Sequence, residues 1–418
     1  MGKQHDRSYL ATKDHDPYAY YQELLKNESG FRWDGDLDAW LVTSSSGCRE
    51  ILRNDDTLFE VPKKDQDPLP ILFGGSRTLP QLAGKEHDKL YRWWLSTFSP
   101  ARMAEWRISL IRPIVDRTID LFIERGSAEL ALEFSERIPI RVIMQLMGLP
   151  SGDDAFVERY RILNHELVAV LNYKSLHPEE GESAVDGGRS PGFAAAREIE
   201  EMIMPYLLSR RTGDGTDLIS ELWRAGPGLL DDWTMEDMAA NTRLMLQAGS
   251  DTTTYGISNA AYLLLTHPPL ADELRGADEV KRVNFVEEVL RLHGPVHLRT
   301  RQAMADVTIG DHELKCGEKV YAIIAAANRD PSRFTCPDEV NMKRKSPRDH
   351  LAFHYGPHTC VGAALARAEL LEASTALLSR FPDMRLDNAA EQPRMTGWLL
   401  RGYAPLHIRF TPGRAGLG

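Results

Sequence analysis

Cysteine is scarce: four of the 418 residues, at positions 48, 316, 336 and 360. No two make a CxxC pair or the paired spacings of a zinc site, and disulfides are not expected in a reducing compartment. Also missing is any run approaching the roughly 20 apolar residues of a membrane span. The opening stretch, MGKQHDRSYLATKDHDPY, has no apolar core behind a basic region, so no secretory signal or anchor is read there and a cytoplasmic location is expected. An excess of positive charge is lacking too. Fifty Lys and Arg against 61 Asp and Glu leave a net charge of −11, which argues against general nucleic-acid binding and confines any basic docking surface to a local patch. No internal repeat and no interdomain linker occur, so the chain is read as a single domain over 1–418, with 1–15 as a loose N-terminus.

What is present is globular composition, 42% apolar and 27% charged, with helical periodicity dominant. Apolar residues recur at three- and four-residue steps over 101–150, 153–173, 193–210, 233–266, 283–293 and 361–380. Strand patterns are short: FRWDGDLDAWLVT as an early hairpin, VTIGDHELKCGEKVYAII late, and APLHIRFTP near the end. The fold class expected is therefore mainly α with small β-sheets. Two segments break the periodicity. Residues 174–192, rich in Gly, Pro, Ser and acids, are read as a mobile lid loop, and residues 60–85 carry PLPILFGG, whose apolar side chains suit a pocket wall.

Three stretches carry chemistry. In LMLQAGSDTTTYGISNAAYLLL (244–265) an otherwise apolar helix holds Gly249, Asp251, Thr252, Thr253 and Thr254 at its middle. A Gly there costs about 1 kcal/mol relative to Ala, and a Thr hydroxyl can divert to the carbonyl four residues back. A kinked core helix would explain this; so would a flat group lying against the helix with proton transfer beside it. In FVEEVLRLHGPV, Glu288 and Arg291 stand three apart on one helix face, and Arg301, Arg329 and Arg344 follow. In AFHYGPHTCVGAAL (352–365), Cys360 sits between turn residues and the first turn of a helix, where unpaired N–H groups favour a thiolate. The other three cysteines are read as small hydrophobes. Cys360 could be a metal ligand, or a nucleophile with His354 or His358 as its base; a thiol hydrolase is the rival reading.

Phe353, Gly356, His358, Cys360 and Gly362 resemble the cysteine-loop signature of the cytochrome P-450 superfamily. Ala248 to Thr253, AGSDTT, resemble its oxygen-binding helix, Glu288 and Arg291 its ExxR pair, and AANRDPSRF and WLLRGYAPL its later elements. The order and spacing agree from about residue 16 to 410. The resemblance implies the fold of a haem-thiolate protein, with haem b, iron protoporphyrin IX, between the oxygen-binding helix and the cysteine-loop helix, and Cys360 as the iron ligand. Ala248 and Gly249 would face the haem. His87, Arg301 and His358 match positions that hold its propionates, Tyr91 stands where the family usually has Arg, and His354 where it usually has Gly. Glu288, Arg291 and Arg344 would form a structural triad. Val296, Arg299 and Leu399 would line the substrate pocket, with Arg299 assigned first to a propionate and second to a carboxylate-bearing substrate.

By the same resemblance Asp251 would relay protons from solvent, and Thr252 would hold the reduced oxygen so that one atom leaves as water. The activity implied is monooxygenation: one atom of O2 enters a small or medium apolar substrate, by hydroxylation or O-dealkylation. A peroxygenase, haem-based sensor or electron carrier is the alternative, and none of these needs the proton relay. Nothing resembles a flavin or nicotinamide fingerprint, so the electrons would come from a ferredoxin or flavodoxin with its reductase. Its docking face would hold Arg92, Arg102 and Arg107 as a local basic patch.

Overall fold

The computed structural model describes residues 8–12, 15–26, 29–62, 75–176, 191–398 and 400–416. The helices of seven residues or more are α1 Tyr18–Leu24, α2 Ser45–Arg53, α3 Gly84–Thr97, α4 Pro100–Trp106, α5 Arg112–Asp120, α6 Arg137–Met147, α7 Asp154–Leu176, α8 Pro191–Ser209, α9 Leu218–Leu229, α10 Met235–Thr266, α11 Pro268–Arg275, α12 Glu279–His293 and α13 Ala363–Arg380. The main sheet has five strands, β1 Phe31–Asp34, β2 Ala39–Val42, β3 Phe59–Glu60, β4 Arg299–Ala303 and β5 Lys319–Ala322, in the order β1-β2-β5-β4-β3. A helical body with small sheets is the class the periodicity predicts.

The centre of the body is α10. Its start is fixed by a capping box: the Asp237 N–H donates to the Thr234 hydroxyl at 3.2 Å and the Thr234 N–H donates to the Asp237 carboxylate at 2.9 Å. The helix is buried on nearly every side, as befits an element surrounded by others rather than one with a solvent face. Close approach depends on glycine: a Cβ at Gly249 would lie 3.1 Å from Ile143 of α6, and one at Gly256 would lie 3.1 Å from Leu370 of α13. The helix stays α throughout, with Thr252 Oγ1 donating to the Ala248 carbonyl at 2.9 Å and Ser250 Oγ to Leu246 at 2.6 Å.

The early hairpin is observed as predicted, with Phe31 opposite Val42 and Trp33 opposite Trp40. Residues Val307–Ile309 and His312–Leu314 make a second hairpin before β5. The sheet and α2 enclose their own apolar cluster, in which Val42, Cys48, Ile51, Val320 and Leu351 are fully buried. A third cluster, of Tyr9, Tyr21, Leu41, Ile323 and Trp398, pins the N-terminal segment to the sheet.

The expectations need several adjustments. Tyr9–Thr12 form a 3-10 turn with Tyr9 and Thr12 buried, so part of the chain read as loose is packed at Tyr9–Thr12. The stretch 101–150 is broken: it contains five-residue π turns at Arg107–Ile111 and Ala131–Ser135 and a left-handed Gly126 before the strand Ser127–Glu129. Helix α7 runs three residues into the stretch read as a lid loop, and 177–190 lie outside the described residues, as do 63–74 of the expected pocket wall and Leu399. Of the three cysteines read as hydrophobes, Cys48 is fully buried, whereas Cys316 and Cys336 are exposed.

Candidate functional site

Cys360 lies three residues before α13 begins. The loop that presents it is closed by its own backbone: the Cys360 N–H donates to the Phe353 carbonyl at 2.9 Å, Thr359 to Gly356 at 3.2 Å and His354 to Leu351 at 2.9 Å. Two left-handed residues allow the turn, Gly356 at φ +82° and His354 at φ +70°. A Cβ at Gly356 would lie 2.5 Å from the Leu52 carbonyl, so only glycine lets the loop rest on the end of α2. At Gly362 a Cβ would meet only the Cys360 sulfur, at 3.9 Å. The sulfur therefore stays accessible in its loop. Burial of its surroundings pushes the thiol up, against the Gly362 backbone hydrogen bond and the charges of Arg299 and Arg367.

Neither rival base serves this thiol. His354 is buried; its Nδ1 faces the Tyr355 carbonyl at 2.9 Å and its Nε2 faces the Arg301 guanidinium at 3.1 Å. Since the carbonyl only accepts and the guanidinium only donates, the ring is the neutral Nδ1–H tautomer. Burial and the Arg301 charge hold its pKa well below the usual histidine range. His358 directs Nε2 to Asp56 at 2.8 Å. Among the described residues no histidine is hydrogen-bonded to Cys360, which removes the geometry a thiol hydrolase needs.

Next to the loop a group of polar side chains converges. His87 of α3 stacks on Tyr91 with ring centroids 5.4 Å apart and lies 4.4 Å from the His358 ring. The His87 Nε2 is buried without a hydrogen-bond partner among the described residues. Burial raises the Tyr91 phenol, the Cys360 charge adds to this, and a hydrogen bond with Thr359 opposes it. Tyr91 thus reaches the cysteine loop from α3.

Arg301, expected at a propionate, is held by Asp55. Its Nε and Nη2 donate to both carboxylate oxygens, the second at 2.7 Å, and Nη1 donates to the Thr300 carbonyl at 2.7 Å. The adjacent acids Asp55 and Asp56 engage Arg301 and His358, two of the three residues read as propionate partners. Arg299, on the same face of β4, has no hydrogen bond or ion pair among the described residues.

On α10 the residues left open in the buried middle include Ala248, Asp251, Thr252 and Tyr255, a three-and-four spacing that marks one face. Ala248 is exposed on that face, while the bare side of Gly249 is packed by Ile143, so Gly249 serves helix contact and not the open face. Asp251 accepts from Asn164 of α7 at 2.8 Å and from Gln247 at 3.0 Å. Burial pushes its carboxyl up to about 7, against those two hydrogen bonds.

Glu288, Arg291 and Arg344 are brought together. Arg291 donates to both Glu288 oxygens at 2.7 and 2.8 Å, and Arg344 donates to one at 2.9 Å. Arg291 also donates to the carbonyls of Asn328, Pro337 and Glu339. The neighbouring Glu287 was not singled out in the sequence, although its signal, the Glu-Glu doublet, is plain there. Its buried carboxylate takes Arg348 at 3.0 Å, His350 at 3.0 Å and Arg367 at 2.8 Å, tying α12 to the cysteine loop and α13. Burial alone would raise it, but His350 and Arg367 bring it to about 2. Arg367 in turn lies over the Phe353 ring at 4.4 Å. Val296, expected in the pocket wall, is buried and bridges to Leu400.

An accessible thiol, an orphaned buried imidazole nitrogen, a phenol and an unpaired guanidinium fit a flat, carboxylate-bearing group whose metal arrives with its other ligands in place. The site so defined is that of a thiolate-ligated haem protein. Comparison with known proteins agrees: residues 207–401 match the family described as Cytochrome P450. Cytochrome P450 105C1 of a Streptomyces species is 34% identical over 361 residues, covering 85% of this chain and 84% of its own. Mycinamicin IV hydroxylase/epoxidase of Micromonospora griseorubida is 32% identical over 401 residues, covering 93% and 94%. The crystal structure of the versatile cytochrome P450 enzyme CYP109B1 from Bacillus subtilis superposes with a TM-score of 0.79 at 28% identity, covering 95% of this chain and all of that one. The chain belongs to the cytochrome P450 family, and its general activity is that of a haem-iron monooxygenase.

Proposed function

We propose that the protein, acting as a single cytoplasmic domain, transfers one atom of O2 to a small or medium apolar organic substrate, by hydroxylation or O-dealkylation. Haem b, held by Cys360, supplies the redox chemistry that activates O2. The observation that carries the reading is the intact Asp251–Thr252 pair on the open face of α10. A sensor, an electron carrier or a peroxygenase has no use for a half-buried carboxyl poised near neutrality beside a hydroxyl. Asp251 exchanges protons near pH 7 because burial sets its pKa there. The Thr252 hydroxyl, now turned to the Ala248 carbonyl at 2.9 Å, orients the oxygen-bearing face of the site and donates there when it rotates. Glu287 ties the cysteine loop through His350 and Arg367, whereas Glu288, Arg291 and Arg344 hold the 328–344 segment, and none of them takes part in proton movement.

The electron donor proposed is a ferredoxin or flavodoxin with its reductase. Two arginines of the expected docking patch are already neutralised. Arg102 pairs bidentately with Glu221 at 2.8 Å, and Arg107 bridges Glu372 and Glu279. Arg92 remains 78% exposed with one long contact to Asp88 at 3.7 Å. Arg112 and Arg348 are exposed at their acidic partners, 50% and 69%. The partner-facing cation is therefore read as Arg92, since Arg112 and Arg348 are also paired, with Glu372 at 2.9 Å and Glu287 at 3.0 Å.

The test is the coupling of electrons to product. With a substrate that shifts the ferric spin state, the wild-type protein forms about one product per two electrons. Thr252→Ala keeps consuming reductant but sends roughly tenfold less of it to product, the remainder appearing as hydrogen peroxide, if that hydroxyl contributes as a positioned proton donor contributes elsewhere. Unchanged product per electron in Thr252→Ala would remove the assigned role.

A further inference from the structure

We infer that His165 and Glu136 form the solvent port of the proton path to Asp251: protons enter at the His165 imidazole and cross the seam between α7 and α10. The inference rests on the monooxygenase reading above and deepens it, by naming the route from water to Asp251.

Helix α7 brings two adjacent faces to this seam. Tyr160 and Asn164, one turn apart, are buried toward α10, where Asn164 Nδ2 donates to Asp251 at 2.8 Å. Arg161 and His165, also one turn apart, turn to Glu136, the residue before α6. The Glu136 side chain is only 6% exposed, and His165 Nε2 is in direct contact with its Oε1. Arg161 reaches the other oxygen at 3.4 Å but gives Nε and Nη2 to Glu158 at 3.0 and 2.7 Å, so the close partner of Glu136 is the histidine. The His165 side chain is itself 51% exposed. A half-exposed imidazole thus stands on a buried carboxylate, one residue away from the side chain that holds Asp251.

The chemistry of the pair suits proton entry. Histidine gains and loses its proton close to neutrality, and the Glu136 hydrogen bond holds His165 above its usual value against the effect of burial. Glu136 takes the Nε2–H, which leaves Nδ1 to exchange with solvent. A proton taken up at Nδ1 is matched by one leaving Nε2 for Glu136 and passing from there to Asp251. Only N–H and O–H bonds form and break, and the imidazole is left ready for the next proton. The last step runs beside Asn164, whose Oδ1 is buried with no partner among the described residues. An acceptor so placed calls for a donor, and a water bonded to it carries the proton on. The charges agree with this nearness: His165 favours the ionised form of Asp251 and Glu136 opposes it. The other titratable groups at the seam are poor carriers. Burial pushes the Tyr160 and Tyr255 phenols up, away from neutrality. Arg161 and Arg243 are guanidiniums, the second paired with Glu200 at 2.7 Å.

The experiment uses the holoprotein with His165→Gln and His165→Lys. Glutamine keeps a donor for Glu136 without titrating; lysine keeps the donor and the positive charge but holds its proton far above neutrality. Both variants should send several-fold less reductant to product than wild type does. Both should recover as phosphate is raised at constant ionic strength, because a mobile acid then replaces the missing one, while the wild-type yield stays put. The Asp251 carboxyl is followed separately by its infrared carbonyl stretch, the band that Asp251→Asn removes. Its titration should move to higher pH in His165→Gln, where a nearby cation is lost, and return toward wild type in His165→Lys. Wild-type product per electron in His165→Lys would overturn the inference and leave the pair as a staple between α7 and α6. A loss that phosphate does not relieve would overturn it too, as would an Asp251 band that titrates in His165→Gln as it does in wild type. Failure of the monooxygenase reading looks different: the wild-type protein would then form no product from any substrate that shifts its spin state.

Discussion

At the scale of single residues, the site depends on a thiol whose environment is divided. Burial favours the protonated form of Cys360, while the Gly362 backbone hydrogen bond and two arginine charges favour the thiolate. Binding iron resolves that contest, because the ligand is the thiolate and the metal's charge displaces the proton. Cys360→His should therefore keep the fold but replace the red-shifted Soret band of the reduced carbon monoxide complex with one at shorter wavelength. An unchanged band in that variant would mean that another residue holds the iron. Glu369 of α13 shows the same conflict without any resolution. It is 1% exposed, its Oε2 lacks a partner among the described residues, and burial pushes its carboxyl well above the usual range. A group held protonated in the fold lowers stability as pH rises above the ordinary carboxylate value, since only the unfolded chain then releases the proton. Glu369→Gln should raise the melting temperature at pH 8 and leave it nearly unchanged at pH 4; equal shifts at both pH values would show that the carboxyl is not held neutral.

At the scale of elements, the proton delivery proposed for α10 is tied to α7 through the hydrogen bond from Asn164 to Asp251. Asp251 titrates near 7 because burial outweighs what Asn164 and Gln247 give back. Asn164→Ala removes one of the two donors that favour the charged form, so the pKa should rise further, by about one unit for a hydrogen bond to a charged group. The pH profile of product formation per electron should move to higher pH by the same amount, with Thr252→Ala measured alongside to show that the profile belongs to the relay. An unmoved profile would separate Asn164 from proton delivery. This link also shows what a sequence can and cannot give. Asp251, Thr252, the Glu288–Arg291 pair and Cys360 were legible because their chemistry is written in spacings of three or four residues on one element. Asn164 is 87 positions from Asp251, and Asp55 is 246 from Arg301. Nothing local marks either pairing. Gly249 shows a related point: a bare helix face can serve a flat ligand or a neighbouring helix, and the approach of Ile143 is legible only in three dimensions.

At the scale of the whole molecule, charge behaves differently from its sum. The chain carries a net −11, yet Arg107 and Arg112 converge on Glu372 of α13. The family resemblance implies a docking patch of Arg92, Arg102 and Arg107. Tertiary pairing with Glu221, Glu279 and Glu372, acids 119 to 265 positions away, takes two of the three out of play. A paired arginine contributes little to long-range attraction because its field is cancelled close by, whereas Arg92, with a weak contact to Asp88, projects its charge into solvent. Arg92→Glu should therefore slow electron transfer from an acidic ferredoxin about thirtyfold at low salt, since reversing the charge replaces an attraction of about 1 kcal/mol in water by a repulsion of the same size. The difference should fade as the Debye length shrinks toward roughly 3 Å at 1 M salt. Arg102→Gln removes an ion-paired cation and so should weaken the contact of α4 with α9 more than it slows electron transfer. Stopped-flow reduction across a salt series, with thermal melts of both variants, separates the two effects. If Arg102→Gln slowed reduction as much as Arg92→Glu while melting normally, the partner would be reading total charge on that face, and the pairing seen here would not govern docking.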